Sequence, residues 1–498
     1  MTRLVVDPVA RVGGHLRVEV DVAEGAVRDA WSSATMFRGV ELILRGRDAR
    51  DAWLVAERIC GSWGATHALG SLRAVESALG VALPRNARLI RNVIGGVRLV
   101  ANHVAHFYHR QAFDWVDVRN ALTASPNATA RLARSQSERP TSASSTFADV
   151  RDRFVALVGS GQPGPVAHGY WGHSAYAMSP EADLLILAHY LEAFEWLRIV
   201  ARIETALGGK GPHPQSYLVG GMALAPEWRG PARPGGEHPW GMERTTPRAL
   251  SADGISDLGG LVSEIARFVD EVYLPDVVML AEPYGEWFLL GAGVGNYLSF
   301  GEFPEDDTPR PALLLPRGRL MRDDLSALVA VDQSGIGESV AHSWYADAGE
   351  AATPRHPRDE ETEPRYAGPP PPVTSLAGWE RYSWLKAPRY EDDPMEVGPL
   401  ARQLVAAAAT ADGQAALDAA LGRLGRGREA AGSTLGRTLA RAVEAQVVAA
   451  RLPGWLGELT ANLARDLTLV DITRWQTDAW PAESEGHSLG EGSRGAIG

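Results

Sequence analysis

The segment Arg58–His67 holds the one thiol of this chain and ends in a histidine. Its sequence is Arg-Ile-Cys-Gly-Ser-Trp-Gly-Ala-Thr-His, and Cys60 is the single cysteine among 498 residues. Cys60 and His67 are seven positions apart, which is about two helical turns, so they would share a face if the segment were helical. The nearby cation of Arg58 would favour a reactive thiolate at Cys60. The alternative is an inert buried cysteine kept for packing, which is common.

Two other patterns resemble binding motifs. His103, His106 and His109 lie at helical spacing and suggest a metal-binding face, but packing explains the same pattern, so we predict no metal site there. Gly208-Gly-Lys-Gly211 is similar to a phosphate loop, but it lacks the full spacing and follows a predicted helix instead of a strand. We expect this glycine-rich backbone to line a ligand cleft or a subunit contact.

Helices are expected to position most of these side chains. Apolar residues at helical spacing predict five helical stretches: Asp48–Leu79, Asn86–His109, Ala182–Leu207, Ile255–Tyr273 and Val397–Arg451. Glycines break the first stretch into two helices joined near Cys60–Thr66, and the last is expected to be a two-helix hairpin. Ser179 and Pro180 have the residue types of a helix start, and Gly208–Gly209 those of a helix end.

Strands are few in the predicted structure. Val18–Val22 alternates apolar and polar residues, as a half-buried strand does, and Gly25 suits a hairpin turn after it. Residues 350–372 are charged and proline-rich, which is typical of a surface loop. The fold class is therefore mainly α with a small α+β portion.

Composition excludes several classes of function. With 49 basic and 61 acidic residues the net charge is −12, which disfavours nucleic-acid binding. A single cysteine excludes an intrachain disulfide, a Cys₂His₂ zinc site and a cysteine-ligated Fe–S cluster held by this chain alone. Neither a signal-peptide pattern nor a long apolar stretch is present, so we expect a cytoplasmic protein without a membrane span.

Ordered sequence blocks connect the chain to a known family. The Arg58–His67 block and ten others, taken together, resemble the large subunit of nickel–iron hydrogenases. These other blocks are Asp7–Leu16, Thr35–Glu41, Gly46–Trp53, Asn102–His109, Phe113–Asp117, Gly208–Pro214, Gly295–Ser299, Tyr382–Tyr390, Met395–Arg402 and Glu491–Gly498. The resemblance extends over essentially the whole chain. It implies a core of long bundled helices with peripheral short sheets, one domain over residues 1–498 with the loop 350–372 inside it, and an Fe–S small subunit as partner.

The departures from the family pattern concern its metal centre. In the family, a Cys-x-x-Cys pair near each end of the chain supplies four thiolates to nickel and iron. Here the second position of the first pair is Trp63, and the second pair would lie beyond Gly498. The family's proton-relay glutamate corresponds to Gly13, the aspartate over the metals to Asn102, and the proline before the conserved arginine to Ser493. Arg494 and His67 match.

These departures predict a cavity with a changed lining and no bound metal. The predicted cavity residues are Gly13, Cys60, Trp63, His67, Asn102, Ser493 and Arg494, and Arg494, Cys60 and His67 are the candidates for a catalytic role. We expect no cofactor in this chain, Fe–S clusters in its partner, and a small organic, quinoid or aromatic, ligand stacked on Trp63 beside the cation of Arg494.

Three functions are compatible with this pattern. The first is an oxidoreductase subunit that acts with the Fe–S partner on that organic molecule. The second is a non-catalytic scaffold that stabilises the partner, with Trp63 filling the space of the metals. The third is a split protein whose C-terminal segment is a separate peptide. A salt bridge to Glu491 or to another carboxylate is the alternative explanation for Arg494.

Overall fold

The structure is a computed structural model that describes residues 2–62, 64–137, 139, 142–166, 175–225, 250–346, 354–359, 363–366 and 375–498. Its α-helices are α1 (Val40–Leu44), α2 (Ala52–Ala56), α3 (Gly64–Leu79), α4 (Arg85–His106), α5 (Ala112–Trp115), α6 (Val118–Ala121), α7 (Pro126–Gln136), α8 (Ser144–Gly159), α9 (Pro180–Gly208), α10 (Ala252–Phe268), α11 (Leu274–Ala281), α12 (Pro399–Ala409), α13 (Ala411–Gly422) and α14 (Thr434–Leu463).

The strands are short and form small antiparallel sheets. They are β1 (Thr2–Val6), β2 (Leu16–Ala23), β3 (Ala26–Ala34), β4 (Tyr217–Leu218), β5 (Gly221–Met222), β6 (Tyr297–Ser299), β7 (Glu302–Pro304), β8 (Leu313–Leu315), β9 (Gly318–Met321), β10 (Asp324–Val329), β11 (Ile336–Ser339), β12 (Ala387–Tyr390), β13 (Gly490–Gly492) and β14 (Gly495–Ile497). The sheet orders are β1-β2-β3, β10-β9-β6, β11-β12, β13-β14, β4-β5 and β7-β8. The predicted class, mainly α with a small α+β portion, is confirmed.

The chain divides into two compact units. The smaller unit comprises residues 1–45 and 329–396, and the larger comprises residues 46–328 and 397–498. The assignment of residues 1–498 to one domain stays a prediction. Most of the predicted proline-rich loop 350–372 lies outside the described residues.

The smaller unit is built on the predicted hairpin. β2 pairs antiparallel with β3, and Gly25 at the turn has a φ of 75°, a left-handed conformation that glycine adopts without strain. A backbone hydrogen bond of 2.8 Å from Trp384 to Ala34 ties a later segment of the unit to β3. The ring of Phe37 stacks on Trp384 at 4.3 Å between centroids.

The larger unit is a bundle in which α4 packs against α14 and α9. One face of α4 is fully buried because its apolar residues recur at helical spacing: Leu89, Ile90, Val93, Ile94, Val97, Val100 and Val104. This helix continues as a π-helix over Phe107–Gln111, and α10 continues likewise over Val269–Tyr273. No helix among the described residues is long and apolar enough to cross a membrane.

Both predicted ends of α9 agree with the structure. The Oγ of Ser179 accepts a hydrogen bond from the Ala182 backbone N–H at 3.2 Å, and Pro180 is the first residue of α9. Gly209, with φ 71°, ends that helix. The first glycines of the glycine-rich segment therefore serve to end α9.

The C-terminal prediction of a two-helix hairpin is wrong. Residues 397–451 contribute to three helices: α12, α13 and α14. The break falls at Thr410, whose side chain caps α13 by accepting a hydrogen bond from the Gly413 N–H. Threonine at this position competes for the backbone hydrogen bonds that would have continued α12.

Candidate functional site

Cys60 lies in a loop, not on a helix. A short 3₁₀ helix ends at Ile59, and the Cys60 backbone is extended, with φ −136° and ψ 126°. The segment from Cys60 to His67 is therefore not one helix, so the condition for a shared helical face is not met, and the predicted break near Cys60–Thr66 is confirmed. A side chain at Gly64 would collide with the ring of His213 at 2.6 Å, so close packing requires glycine where α3 begins.

A neighbouring helix holds the Cys60 loop in place. The Arg98 Nη2 atom on α4 donates a hydrogen bond of 2.7 Å to the carbonyl of Ser62. Arg98 also forms an ion pair with Glu204 on α9. The thiol of Cys60 is half-buried and lies 3.7 Å from the hydroxyl of Ser62. The loop is thus anchored through its backbone, which leaves the thiol at its surface.

The second candidate segment is the C-terminal hairpin of β13 and β14. Its two-residue turn is Ser493–Arg494, since Gly492 pairs with Gly495. Gly398, with φ 105°, approaches so closely that an added Cβ would lie 2.5 Å from the Arg494 carbonyl oxygen. Close backbone contact therefore fixes the turn that carries Arg494.

Arg58 and Arg494 have different surroundings. The Arg58 side chain is half-exposed and forms an ion pair with its neighbour Glu57. Burial lowers the pKa of Arg494 to about 10, and repulsion from Arg110 and Arg441 adds to this effect. Arg58 is therefore already paired with a carboxylate, whereas Arg494 is a half-buried cation among like charges.

Asn102 and Ser493 face a common small cavity, which has a volume of about 30 Å³. The amide of Asn102 donates a hydrogen bond of 2.8 Å to the Arg98 carbonyl one turn earlier on α4. The Ser493 hydroxyl is buried and has no hydrogen-bond partner. A polar cavity of this size holds water, and it has no room for an aromatic ring.

The remaining predicted cavity residues are His67, Gly13 and Trp63. His67 lies half-buried on the first turn of α3, where burial lowers its pKa, and no described residue forms a hydrogen bond with it. Gly13 belongs to the smaller unit, in an exposed stretch between β1 and β2. Trp63 lies outside the described residues.

A buried charged network supports the C-terminal hairpin. The guanidinium of Arg402 donates to both oxygens of Glu444 at 2.7 Å, to a Glu491 oxygen at 2.7 Å and to the Gly492 carbonyl at 2.8 Å. The side chains of Arg402, Glu444 and Glu491 have no exposed surface. Glu491 is thus the partner of Arg402 and not, as the alternative interpretation had it, of Arg494.

Arg110, Arg441 and Arg494 repel one another electrostatically, and we call them the arginine cluster. Arg441 Nη1 lies 3.4 Å from the Ser493 carbonyl oxygen, next to Arg494 in the chain. Charge repulsion from both Arg110 and Arg441 lowers the pKa of Arg494. Sequence patterns singled out neither Arg110 nor Arg441, although Arg110 follows His103 and His106 at helical spacing.

The three histidines of the Asn102–His109 block do not form a metal site. His103 Nε2 lies 2.8 Å from a Glu444 oxygen, and His109 Nε2 lies 3.2 Å from the Tyr190 carbonyl oxygen. Burial and the arginine cluster lower the pKa of His106 to about 2, so its ring is neutral at pH 7. The Nδ1 atom of His106 is buried without a hydrogen-bond partner.

Comparison with known proteins shows similarity along the whole chain. A family model described as nickel-dependent hydrogenase matches residues 38–498. The uptake hydrogenase large subunit of Rhizobium leguminosarum bv. viciae is 40% identical over 99% of this chain and 83% of the relative. The hydrogenase-1 large chain of Escherichia coli K12 is 37% identical over 100% of this chain and 83% of the relative.

Solved structures agree with this relationship. The Ni–Fe–Se hydrogenase of Desulfomicrobium baculatum superposes with a TM-score of 0.69 at 30% identity, covering 99% of this chain and 85% of that one. The Ni–Fe–Se hydrogenase of Desulfovibrio vulgaris Hildenborough superposes with a TM-score of 0.72 at 28% identity and the same coverage. The predicted hydrogenase large-subunit fold is confirmed.

These comparisons correct the prediction that this chain binds no cofactor. The nickel-dependent family model extends over Cys60, His67, Asn102, Ser493 and Arg494, so the candidate site itself lies within the match. Yet the described residues contain one thiol and no group of three or more His, Cys, Asp or Glu side chains arranged around a metal. A four-thiolate centre would need sulfur donors beyond these 498 residues, so the residues present do not by themselves fit it. From its first strands to its C-terminal hairpin, the chain belongs to the nickel-dependent hydrogenase family.

Proposed function

We propose that the chain is the large subunit of a heterodimeric oxidoreductase that acts with an Fe–S small subunit on a small organic molecule, quinoid or aromatic. The observation that carries this proposal is the position of Arg494, a half-buried cation on the turn of the C-terminal hairpin. The residue types at Trp63 and Gly13 support it, because they stand where the family has a metal-binding cysteine and the proton-relay glutamate.

Arg494 would act on the oxygen that gains electrons. Reduction of a quinone adds two electrons, supplied here by the clusters of the partner, and two protons, supplied by water, to give the hydroquinone. A fixed guanidinium near the quinone oxygen stabilises the negative charge that develops before protonation. Arg494 is held in place by the hairpin turn, so little reorganisation is needed during the reaction.

Exposed apolar side chains support the proposed partner. Met36 is 47% exposed, and Leu42 and Ile43 are each 43% exposed, within or beside the family-like block Thr35–Glu41. Apolar side chains exposed close together are typical of protein–protein contacts. An obligate interface of this kind buries on the order of 2,000 Å² or more. The cytoplasmic location stays a prediction.

One observation favours the scaffold function as the second candidate. The cavity beside Asn102 and Ser493 has a volume of only about 30 Å³, which holds water but not an aromatic ring. An organic substrate would therefore bind at the half-buried surface near Cys60 and Arg494, outside this cavity. If nothing binds at that surface, the chain serves to stabilise its partner.

An electron-transfer assay on the assembled complex separates the two candidates. The chain is co-produced with its Fe–S small subunit, and reduced viologen drives the reduction of menadione. We expect Arg494→Ala to abolish menadione reduction while the complex stays assembled on size exclusion. Arg198→Ala, at an exposed arginine of α9, is the matched control and retains activity. Equal activity in Arg494→Ala and Arg198→Ala would favour the scaffold.

The partner contact has its own test. Leu42→Asp places a charge in the proposed contact, and we expect it to prevent co-purification with the small subunit. Leu157→Asp, on α8, is the control because that side chain is exposed to a similar degree, at 38% against 43%. If both variants assemble normally, the contact does not include α1.

A further inference from the structure

A groove between α8 and α9 lies in the larger unit, and its described lining includes none of the candidate site residues. Its volume is about 520 Å³, against about 30 Å³ for the cavity beside Asn102 and Ser493. A volume of this order is typical of sites for small organic molecules. Both helices contribute apolar side chains to the lining: Phe147, Val150, Leu191 and Phe194. The groove therefore has room for the aromatic ring that the small cavity excludes.

Phe194 presents one face of its ring to this groove. The opposite face stacks on His109, with 3.8 Å between the centroids and 19° between the planes. Tyr190 lies beside this pair, since its ring is nearly perpendicular to both and its centroid is 5.1 Å from that of His109 and 5.3 Å from that of Phe194. These contacts fix the orientation of Phe194, which remains 45% exposed. A planar ligand can therefore stack on a ring that is already in place.

His189 supplies a fixed polar group in the same groove. Its Nδ1 atom lies 2.8 Å from Asp276 Oδ2, and the same oxygen accepts a hydrogen bond of 2.6 Å from the Tyr108 hydroxyl. Because Asp276 is buried in the core, the ring edge that carries Nε2 is the part of His189 that can reach the groove. Nε2 forms no hydrogen bond with any residue that the structure describes. A ligand can thus bind Nε2 without displacing a protein group.

The surroundings of His189 make this ring a hydrogen-bond donor. Burial disfavours the charged imidazole, but the carboxylates of Asp276 and Glu192 outweigh it and raise the pKa of His189 above its usual value. Arg139 opposes the two carboxylates only in part. Since the usual value is about 6.5, the ring is mainly protonated at about pH 6, and Nε2 then carries a hydrogen. The carbonyl oxygen of a ligand would supply the acceptor.

The charges around the groove are balanced within the chain. Glu192 forms an ion pair of 2.7 Å with Arg139. His189 is paired in the same way with Asp276. The other charged side chains of the described lining are exposed to solvent: Asp149, Arg153 and Glu195. A charged ligand would lose hydration at the inner wall without gaining a counter-ion there, so the groove favours an uncharged molecule.

We propose that the groove between α8 and α9 binds an uncharged, planar aromatic molecule that carries a carbonyl oxygen. The ring stacks on Phe194, and the carbonyl oxygen accepts a hydrogen bond from His189 Nε2. These two residues are five positions apart on α9, which is a rise of about 7.5 Å along the helix axis. That span suits a molecule of two fused rings. The site is separate from the one near Arg494 and does not depend on the proposed function.

The first test is a calorimetric titration of the full chain at about pH 6 with coumarin, a planar and uncharged lactone of two fused rings. Coumarin-3-carboxylate has the same rings and an added negative charge, so it is the matched ligand control. We expect coumarin to bind at least about tenfold more tightly, a difference of about 1.4 kcal/mol. Equal or tighter binding of the carboxylate, or no binding of coumarin, would overturn the proposal.

Variants show whether coumarin binds in the groove. Phe194→Leu keeps an apolar side chain but removes the stacking face, and it should weaken binding by about tenfold. His189→Leu removes the donor and should have a similar effect, whereas His189→Gln, which keeps an amide donor, should retain part of the affinity. Leu157→Ala, on α8 but outside the described lining, is the control and should bind like the wild type. If His189→Leu does not fold, Phe194→Leu decides the question, and wild-type affinity in that variant would overturn the proposal.

Arg494→Ala separates this site from the proposed substrate site. We expect it to bind coumarin like the wild type, because Arg494 does not line the groove. Loss of coumarin binding in Arg494→Ala would place the ligand near the C-terminal hairpin and would overturn the proposal. The titration requires no electron transfer, so absence of menadione reduction counts against the proposed function alone.

Discussion

Two groups of charged residues lie side by side in the larger unit and differ in their charge balance. In the buried network, one guanidinium, that of Arg402, lies between the carboxylates of Glu444 and Glu491, and none of the three side chains is exposed. In the arginine cluster, Arg441 lies 3.4 Å from the Ser493 carbonyl oxygen beside Arg494, and repulsion from other arginines lowers the pKa of both Arg441 and Arg494. The first arrangement places opposite charges in contact, whereas the second places like charges next to each other.

The difference shows what each group does for the protein. Burial would raise the pKa of Glu444, but Arg402 and His103 outweigh it and lower that pKa to about 2, so the carboxylate stays ionised. Such a network holds the C-terminal hairpin in one position. Arg494 is carried by that hairpin, so the buried network positions this member of the arginine cluster.

Arg402→Met tests the balanced network and should have the largest effect. The variant leaves two buried carboxylates without their cation, which typically costs about 3–5 kcal/mol. We expect a large fall in the thermal unfolding midpoint. Arg198→Met removes an exposed pair on α9 and should hardly change the midpoint. Similar midpoints for the two variants would show that the network does not stabilise the fold.

His106 gives the second prediction, which concerns pH. Burial and the neighbouring cations hold the folded-state pKa of His106 at about 2, so below about pH 6.5 the unfolded chain binds a proton that the folded chain does not. Stability should fall with decreasing pH, by about 1.4 kcal/mol at about pH 5.5. His106→Gln removes this part of the dependence in urea denaturation, whereas His487→Gln, at an exposed histidine, should retain it. Parallel pH profiles for wild type and His106→Gln would contradict the neutral ring.

Arg441→Met tests the arginine cluster. It is the same type of substitution as Arg402→Met in the buried network. The variant loses two long hydrogen bonds, at 3.3 and 3.4 Å, and it also removes repulsion with the other arginines. We expect the net change in stability to stay within about 1 kcal/mol, because the two effects oppose each other. A loss as large as that of Arg402→Met would show that the cluster is structural.

Cys60 alkylation gives the smallest expected effect. Because the chain has one cysteine, iodoacetamide reports on this thiol alone. The thiol is half-buried in a loop that Arg98 holds through the Ser62 carbonyl, so Arg98→Gln should loosen the loop and speed alkylation by about threefold. Arg58→Gln should leave the rate unchanged, since Arg58 is paired with Glu57. A wild-type rate in Arg98→Gln would show that other contacts hold the loop.

Local signals in the sequence predicted much of the fold. The cap at Ser179, the first-turn proline and the stop at Gly209 define α9 within a few residues, because these signals act through neighbouring backbone groups. The break in the first helical stretch was placed correctly near Cys60. The third C-terminal helix was missed because a single capping threonine within an alanine-rich stretch separates α12 from α13.

The sequence by itself determined the family, the mainly α class, the single thiol and the residue types at Gly13, Trp63, Asn102 and Ser493. Only the tertiary structure showed that Glu491 belongs to Arg402, that His103 joins the same network through Glu444, and that Arg441 reaches the Ser493 carbonyl next to Arg494. These relations join residues from distant parts of the chain. Spacing along the sequence describes neighbours on one helix or strand, but electrostatic interactions act through space, so helix packing decides which charges meet.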